Sequence, residues 1–279
     1  MTLSDHGSRG RILQRSLTYA ILVFACCVVL YPLLVIISSS FKTESEIFTY
    51  PMTVIPRLPV LRNFAALRGR FPLYIINSLK VTLLITAVQV VTATTAGYAF
   101  SKLRWKGRNF LFLLYISSIM IPFQVYIIPQ FIIIRLMGLY DTHLALILVS
   151  SFTAFGTFLV RQFFLTIPDS YIEAAKISGV NHFHIFMKIM LPLSKPVVAT
   201  LGILSFRYWW NDLFTPLIYL TAQTLKTLPL GLADFVSEYD VYYGPQMAAS
   251  LIAIIPVLAI YVFAQKYIVR GLTMGAVRE

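Results

Sequence analysis

The chain has 279 residues, of which 58% are hydrophobic and only 12% charged, with a formal net charge of +12. A soluble domain carries about 25% charged residues, so half the usual charge is left to cover a surface. With a mean hydropathy of +0.78, this composition excludes a soluble enzyme, a disordered tail and a disulfide-rich secreted module, and points to a polytopic membrane protein.

A membrane-crossing helix needs about 20 mostly apolar residues. Six stretches qualify: 17–39, 73–100, 110–134, 144–160, 196–220 and 245–268. They predict an all-α integral membrane protein with six transmembrane helices. A single transmembrane domain over 1–279 follows, with no room for a separate soluble catalytic domain. The first stretch is preceded by Arg9, Arg11 and Arg15 and contains the adjacent Cys26 and Cys27. Its apolar run exceeds the roughly 7–15 residues of a signal peptide, so it reads as an uncleaved span. Neighbouring thiols rarely bridge, and two alone make no zinc site.

Charge placement sets the orientation. With the N-terminus inside, 14 basic residues fall on the inner side and 7 on the outer, with Lys80 and Arg207 in or near spans. Inner loops carry the excess of Lys and Arg, which puts both termini in the cytoplasm. The first outer loop holds five of the seven outer basics, but long loops follow the rule poorly. The positive charge is thus orientation and headgroup charge, and no nucleic-acid patch is needed.

Three connections stand out. Residues 41–72, with Pro51, Pro56 and Pro59, read as an irregular outer segment on the membrane surface. Residues 221–244 form an outer loop that is acidic at Asp234, Glu238 and Asp240, with Tyr239, Tyr242 and Tyr243 among them. Residues 162–195 form an inner loop much longer than the roughly 2–8 residues usual between bundle helices. Ser170 and Glu173 have capping-box spacing, predicting a short helix from 171 to 178. Gly179 follows where a left-handed residue is needed. Asn181 caps a second short helix over 182–190, which Pro192 stops. The result is a helix–Gly–helix hairpin. The Ala174–Ala175 pair allows close approach, and Ile185, Phe186 and Ile189 offer apolar anchors for a partner's groove. The competing reading is an amphipathic pair lying on the headgroups.

This loop resembles the EAA motif of the permease subunits of binding-protein-dependent ABC importers. That pattern is Glu-Ala-Ala, three residues, Gly, nine residues, Ile, one residue, Leu-Pro. Here it reads Glu173-Ala174-Ala175, Gly179, Ile189 and Leu191-Pro192, with every spacing matched. The resemblance extends to the carbohydrate branch through Asn77-Ser78-Leu79, Gly97-Tyr98-Ala99-Phe100 and Trp210-Asn211-Asp212. The final Gly271-Leu272-Thr273-Met274-Gly275-Ala276-Val277 matches too. The chain is most similar to the smaller permease of maltose-type oligosaccharide importers. The resemblance implies a subunit of the bacterial or archaeal cytoplasmic membrane, paired with a homologous permease above two ATP-binding subunits. An extracytoplasmic solute-binding protein would deliver the sugar, and the acidic outer loop is a candidate for part of that contact. The EAA loop would be a coupling hairpin seated in a cleft of the ATPase, driving alternating access. Glu173 then caps its own helix, contacts the ATPase, or does both. This chain itself would bind no cofactor, since ATP and magnesium belong to the partner.

Polar groups inside spans are costly and call for a functional reading. Asn211 lies about 15 residues into its span, about 22 Å at 1.5 Å per residue. Trp209, Trp210, Asn211 and Asp212 are therefore candidates for sugar stacking and hydrogen bonding. An interfacial aromatic belt with helix packing is the other reading. Asn77 and Ser78 are substrate-path candidates or helix-start residues, and Lys80 reaches the outer interface by snorkelling. Pro122, Pro129, Pro216 and Pro256 are expected to break or kink spans, as is common along transport paths. His182 and His184 have no third ligand nearby, so no metal site is expected. Nucleotide-loop, zincin and nucleophile-elbow signatures are absent, so the chain reads as a transport subunit rather than an enzyme. Glycerol-3-phosphate importers share the permease pattern and give an alternative substrate. An intramembrane lipid-modifying enzyme would need inward acids or His residues at one depth, and only Asp212 qualifies. A scaffold without transport predicts that mutations in the loop leave uptake intact.

Overall fold

The computed structural model describes residues 6–235 and 242–273, with side chains over 14–235, 242–263 and at 265. Every regular element among them is helical. The chain divides into two compact units: Met1–Gly69 with Asp234–Ile252, and Arg70–Ala233 with Ala253–Glu279.

The first unit begins with α1 (His6–Ser40). From 14 to 32 its side chains are exposed, among them Leu17, Val23 and Phe24. An apolar helix with no protein cover in its own chain fits a lipid-facing span. The segment that follows is largely irregular, as its prolines predict, with short helical turns at Glu44–Ile47 and Arg62–Ala65, and it is folded on itself. Asn63 Nδ2 donates to Ser40 O (3.0 Å) and Lys42 O (2.8 Å), and the buried Lys42 ammonium donates to Thr53 O. Main-chain groups that no strand or helix satisfies are met by these side chains, as burial requires. Gly244 N–H donates to Glu44 Oε1 at 2.9 Å, and Phe48 meets Tyr243 edge-on.

The second unit is built on α2 (Phe71–Lys102), a long helix with Pro72 at its start, where a missing N–H costs nothing. α3 (Arg108–Ser117) and α4 (Phe123–Leu136) meet at a 100° bend. Ile121, pushed to extended angles by the proline after it, and Pro122 make the break. α5 (His143–Val149) and α6 (Ala154–Thr166) meet at 47°. Thr153 restarts α6, its hydroxyl accepting Gly156 N–H at 3.0 Å. Then come α7 (Ser170–Ile177), α8 (His182–Ile185), α9 (Lys195–Trp210), α10 (Phe214–Tyr219) and α11 (Leu228–Ala233). The last helix, α12 (Tyr243–Thr273), contributes residues to both units.

α2 and α6 approach closely at Gly97, where a Cβ would lie 2.8 Å from Val160 Cγ1. Only glycine fits there without moving a helix. One core joins Ala93 and Tyr98 of α2 to Val160 and Phe164 of α6 and Val197 and Leu201 of α9. A second joins Val81 and Ile85 to Ile134, Leu146, Tyr219 and Leu230.

Among the described residues, three helical stretches are long and apolar enough to cross a membrane: Gln14–Ser40, Phe71–Lys102 and Tyr243–Phe263. Up to six spans result if each bent pair counts as one. The stretches 110–134, 144–160 and 196–220 are therefore not single helices. Of the four prolines expected to break spans, Pro122 stands at a break. Pro129 and Pro256 are carried inside continuous helices, and Pro216 lies within α10.

Candidate functional site

The loop 162–195 folds as a helix–glycine–helix hairpin. α7 ends in a Schellman arrangement: Val180 N–H donates to Ala175 O (3.1 Å) and Gly179 N–H to Lys176 O (2.9 Å). Gly179 sits at φ +77° with open space around it, so the requirement is conformational rather than steric. Asn181 caps α8, its Oδ1 accepting His184 N–H at 2.9 Å.

Three local expectations are corrected. The Ser170–Glu173 capping box does not form. Asp169 holds the N-cap with helical angles, and Ile172 and Glu173 N–H both donate to its main-chain oxygen, at 2.9 and 3.0 Å. Its carboxylate is drawn away to Lys102 Nζ, 2.5 Å distant. The Glu173 side chain is exposed and makes no hydrogen bond or ion pair among the described residues, so its capping role is not the one it fulfils. Second, Pro192 does not stop the second helix. It has no N–H for Lys188 O and its ring crowds that carbonyl. The chain widens into a π-turn over Phe186–Met190, with Leu191 N–H donating to Phe186 O, and continues through Leu191–Leu193. The break falls at Ser194, and α9 leaves at 78°.

Third, the apolar anchors are elsewhere. Ile185 is 0% and Phe186 7% exposed, packed with Met190, Tyr98, Phe164 and Val197 in the chain's own core; Ile189 is half-buried. The apolar groups the hairpin presents include Tyr171, Ile177 (89% exposed), Phe183 (68%) and Met187. Of the motif itself, Glu173, Ala174, Gly179 and Pro192 are exposed, while Ala175, Ile189 and Leu191 are half-buried.

The hairpin is clamped to the last turns of α2. The Tyr98 hydroxyl and His182 Nδ1 are 3.0 Å apart, and the Tyr98 ring lies 5.2 Å from Phe186 and 6.2 Å from Phe164. Lys102 Nζ donates to Ile167 O (2.6 Å) as well as to Asp169. That hydrogen bond holds the Asp169 carboxyl below the usual carboxylate range. Tyr98 and Lys102 were not among the expected site residues. The run Gly97-Tyr98-Ala99-Phe100 was the available signal, but nothing in the local pattern pairs it with His182, 84 positions on.

The substrate-path candidates do not form one group. Asn77 is buried, with Nδ2 donating to Thr224 O (2.9 Å) and Lys226 O (3.0 Å). Ser78 Oγ accepts Leu228 N–H at 2.7 Å. Trp210 is 2% exposed, stacked on Phe206, and donates to Ala253 O at 3.1 Å. Trp209 is half-buried, and Asn211, exposed at the end of α9, donates to Arg207 O (2.7 Å). Asp212 is half-buried and accepts Thr215 N–H at 3.4 Å. No cluster of three or more His, Cys, Asp or Glu able to hold a metal occurs among the described residues. Glu238, Tyr239 and Asp240 of the acidic loop, and Met274–Val277 of the C-terminal run, lie outside the described residues.

Comparison with known proteins gives these features a setting. The family model described as a binding-protein-dependent transport system inner membrane component matches residues 89–274, which include the hairpin and its clamp. The arabinooligosaccharides transport system permease protein AraQ of Halalkalibacterium halodurans is 33% identical over 260 residues, covering 91% of this chain and 93% of the relative. The sn-glycerol-3-phosphate transport system permease protein UgpE of Yersinia enterocolitica is 30% identical over 264 residues, covering 91% and 94%. Among solved structures, a chain of a bacterial ABC transporter involved in the import of the acidic polysaccharide alginate shares the fold. Its TM-score is 0.82 at 24% identity, covering 93% of this chain and 98% of that one.

Proposed function

The chain belongs to the binding-protein-dependent transport system inner membrane component family, and on that premise we propose that it is a sugar-translocating permease subunit of an ATP-driven importer. The three long helices and three bent pairs form six spans, with both termini in the cytoplasm. A second, homologous permease completes the pathway, and two ATPase subunits dock beneath. ATP and magnesium are bound there and not by this chain. A solute-binding protein delivers the sugar on the outer side. Sugar is favoured because the arabinooligosaccharide permease is similar along nearly its whole length. The glycerol-3-phosphate relative supports a second reading, in which the exposed Arg207 of α9 serves a phosphate ligand.

The observation that carries the coupling role is the division of the hairpin into a buried base and an exposed tip. Ile172, Ile185, Phe186 and Met190 lock the base into the core shared with α2, α6 and α9. Ala174, Ile177, Gly179 and Phe183 are left uncovered. A partner that grips the tip and moves displaces α9 through the Ser194 break and α2 through Tyr98 and Lys102. On the translocation side, Trp209, Asn211 and Asp212 are the proposed sugar-facing groups, while Trp210 packs on Phe206 and Asn77 and Ser78 hold the segment 224–228.

Co-purification of the tagged full chain from gently solubilised membranes tests the reading, with and without Gly179→Asp. The variant strains a φ of +77° and places a charge on the tip. A nucleotide-binding ATPase and a second permease should accompany the native chain, and the ATPase should be lost from the variant. A chain recovered alone, or an ATPase retained at full level with unchanged uptake, would overturn the coupling assignment. Competition of oligosaccharide uptake by glycerol-3-phosphate separates the two substrate readings.

A further inference from the structure

The end of α2, the short connection after it, the start of α3 and residues 165–169 enclose an open cleft of about 800 Å³, of which the coupling reading uses only Lys102 and Asp169. Lys102, Arg104, Trp105, Arg108, Asn109 and Asp169 are among its lining residues. Three cations thus face one carboxylate. Their geometry is fixed from behind. Lys102 is held by Ile167 O and Asp169, with its side chain 3% exposed. Arg108 donates to Ser101 O (3.2 Å) and Leu103 O (3.0 Å), pinning the connection. Arg104 is exposed and makes no hydrogen bond or ion pair among the described residues. The cleft therefore offers a held cationic wall and one guanidinium free to engage an anion bidentately.

What adjoins the cleft decides which anion. α3 turns outward Phe110 (71% exposed), Leu113 (67%) and Leu114 (59%), a strip of the kind that meets acyl chains. Trp105 lies on the rim, donating to Ala99 O at 3.3 Å, in the place an interfacial aromatic takes. A soluble phosphate would use the cations and leave the strip idle. A phosphodiester carrying acyl chains uses both. Basic pockets at the cytoplasmic ends of spans are suited to anionic headgroups. We propose that this cleft binds the headgroup of an anionic phospholipid, with its acyl chains along the exposed face of α3. The proposal rests on the reading of α2 and α3 as spans that meet at the cytoplasmic interface. It assigns no role in ATPase docking to Arg104.

The test is lipid retention by the full chain in mixed micelles of phosphatidylglycerol and phosphatidylcholine, read by native mass spectrometry. The native chain should retain phosphatidylglycerol preferentially. Arg104→Gln should lower that preference about five-fold, the worth of one basic group near a membrane surface, and Arg104→Lys should restore only part of it, keeping the charge but losing the bidentate geometry. Asp169→Asn should raise it, since it removes the opposing charge and frees Lys102. Equal retention of the two lipids by the native chain, or a ratio indifferent to Arg104→Gln, overturns the proposal. Displacement of phosphatidylglycerol by excess inorganic phosphate would make the cleft a free-anion site and overturn the lipid assignment. Loss of the co-purifying ATPase in Arg104→Gln with unchanged lipid ratio would reassign the cleft to a protein contact. Failure of the importer reading shows instead as loss of the Gly179-dependent ATPase capture, measured separately.

Discussion

At its first turns α2 holds the segment 221–230 with donors and acceptors. Asn77 binds two main-chain oxygens, Ser78 accepts Leu228 N–H, and the Tyr74 hydroxyl donates to Gln223 Oε1 at 3.3 Å. Gly231 presses against the Tyr74 ring so closely that a Cβ would lie 2.2 Å from it. At its last turns α2 holds the base of the hairpin through the Tyr98 ring, packed on Phe186 and on Phe164 of α6, with the Tyr98 hydroxyl on His182 and the Lys102 ammonium on Ile167 O and Asp169. The difference has a physical reading. Directional bonds to main-chain atoms fix one register and resist sliding. Apolar packing tolerates small rotations about a base. The first end is built to stay closed, and the second to carry a displaced tip while its base remains attached.

The largest expected effect is on the ring-packed end. Phe186→Ala should cost about 3–5 kcal/mol, lowering the melting temperature in detergent and freeing the hairpin for proteolysis. An equal loss from Phe183→Ala, at an exposed tip position, would erase the distinction between base and tip. That variant should leave melting nearly unchanged and weaken ATPase capture instead.

Next comes the hydrogen-bonded end. Asn77→Ala removes two bonds and strands the Thr224 and Lys226 carbonyls, a loss of about 2–3 kcal/mol. Melting should fall while ATPase capture stays intact. If sugar affinity collapses with no change in melting, Asn77 faces the transported molecule rather than the loop. Smaller again is Tyr98→Phe, which keeps the ring and removes the His182 contact. It should cost about 1 kcal/mol and reduce the stimulation of ATPase by substrate more than it reduces stability.

What could be read from the sequence follows the range of the forces involved. Gly179 and Asn181 obey rules that act over three or four residues, and both fall where the spacing places them. The capping box acts over the same range but is lost, because the helix starts one residue earlier, with Asp169 at the N-cap and Ser170 already inside it, and Lys102, 67 positions away, holds the Asp169 side chain. Ile185 and Phe186 look like docking anchors because composition reveals that they are apolar but not which surface covers them. The same holds for the spans. Hydropathy averages across the Ile121–Pro122 break and gives no sign of a 100° bend. Pro122 follows an extended Ile121 and stands at the N-cap of α4, whereas Pro129 is carried inside it. The substrate-path residues were grouped by depth, yet Trp210 turns inward onto Phe206 while Asn211 turns out.

The smallest effect is that of acid, which acts on both ends. Asp141, at φ +58°, accepts Thr221 N–H (2.8 Å) and Ala222 N–H (3.0 Å), and these main-chain donors hold its carboxyl below the usual range. Lys102 does the same for Asp169 at the other end of α2. A carboxyl depressed in the folded state stabilises the fold above its unfolded value of about 3.9. That contribution disappears as the pH falls through the folded value. Acidification below about pH 4 should therefore loosen both ends. Asp169 is 58% exposed and Asp141 half-buried, so each contributes under about 1 kcal/mol. Asn tolerates the left-handed backbone at 141, so Asp141→Asn removes the charge without new strain. It should flatten the acid dependence of melting, and Asp169→Asn should flatten it further in the double variant. An acid slope untouched by Asp141→Asn would mean that neutral hydrogen bonds alone hold the first end. The contrast would then rest on Asn77 and Ser78, because the Lys102–Asp169 pair would be the one charged clasp of the two.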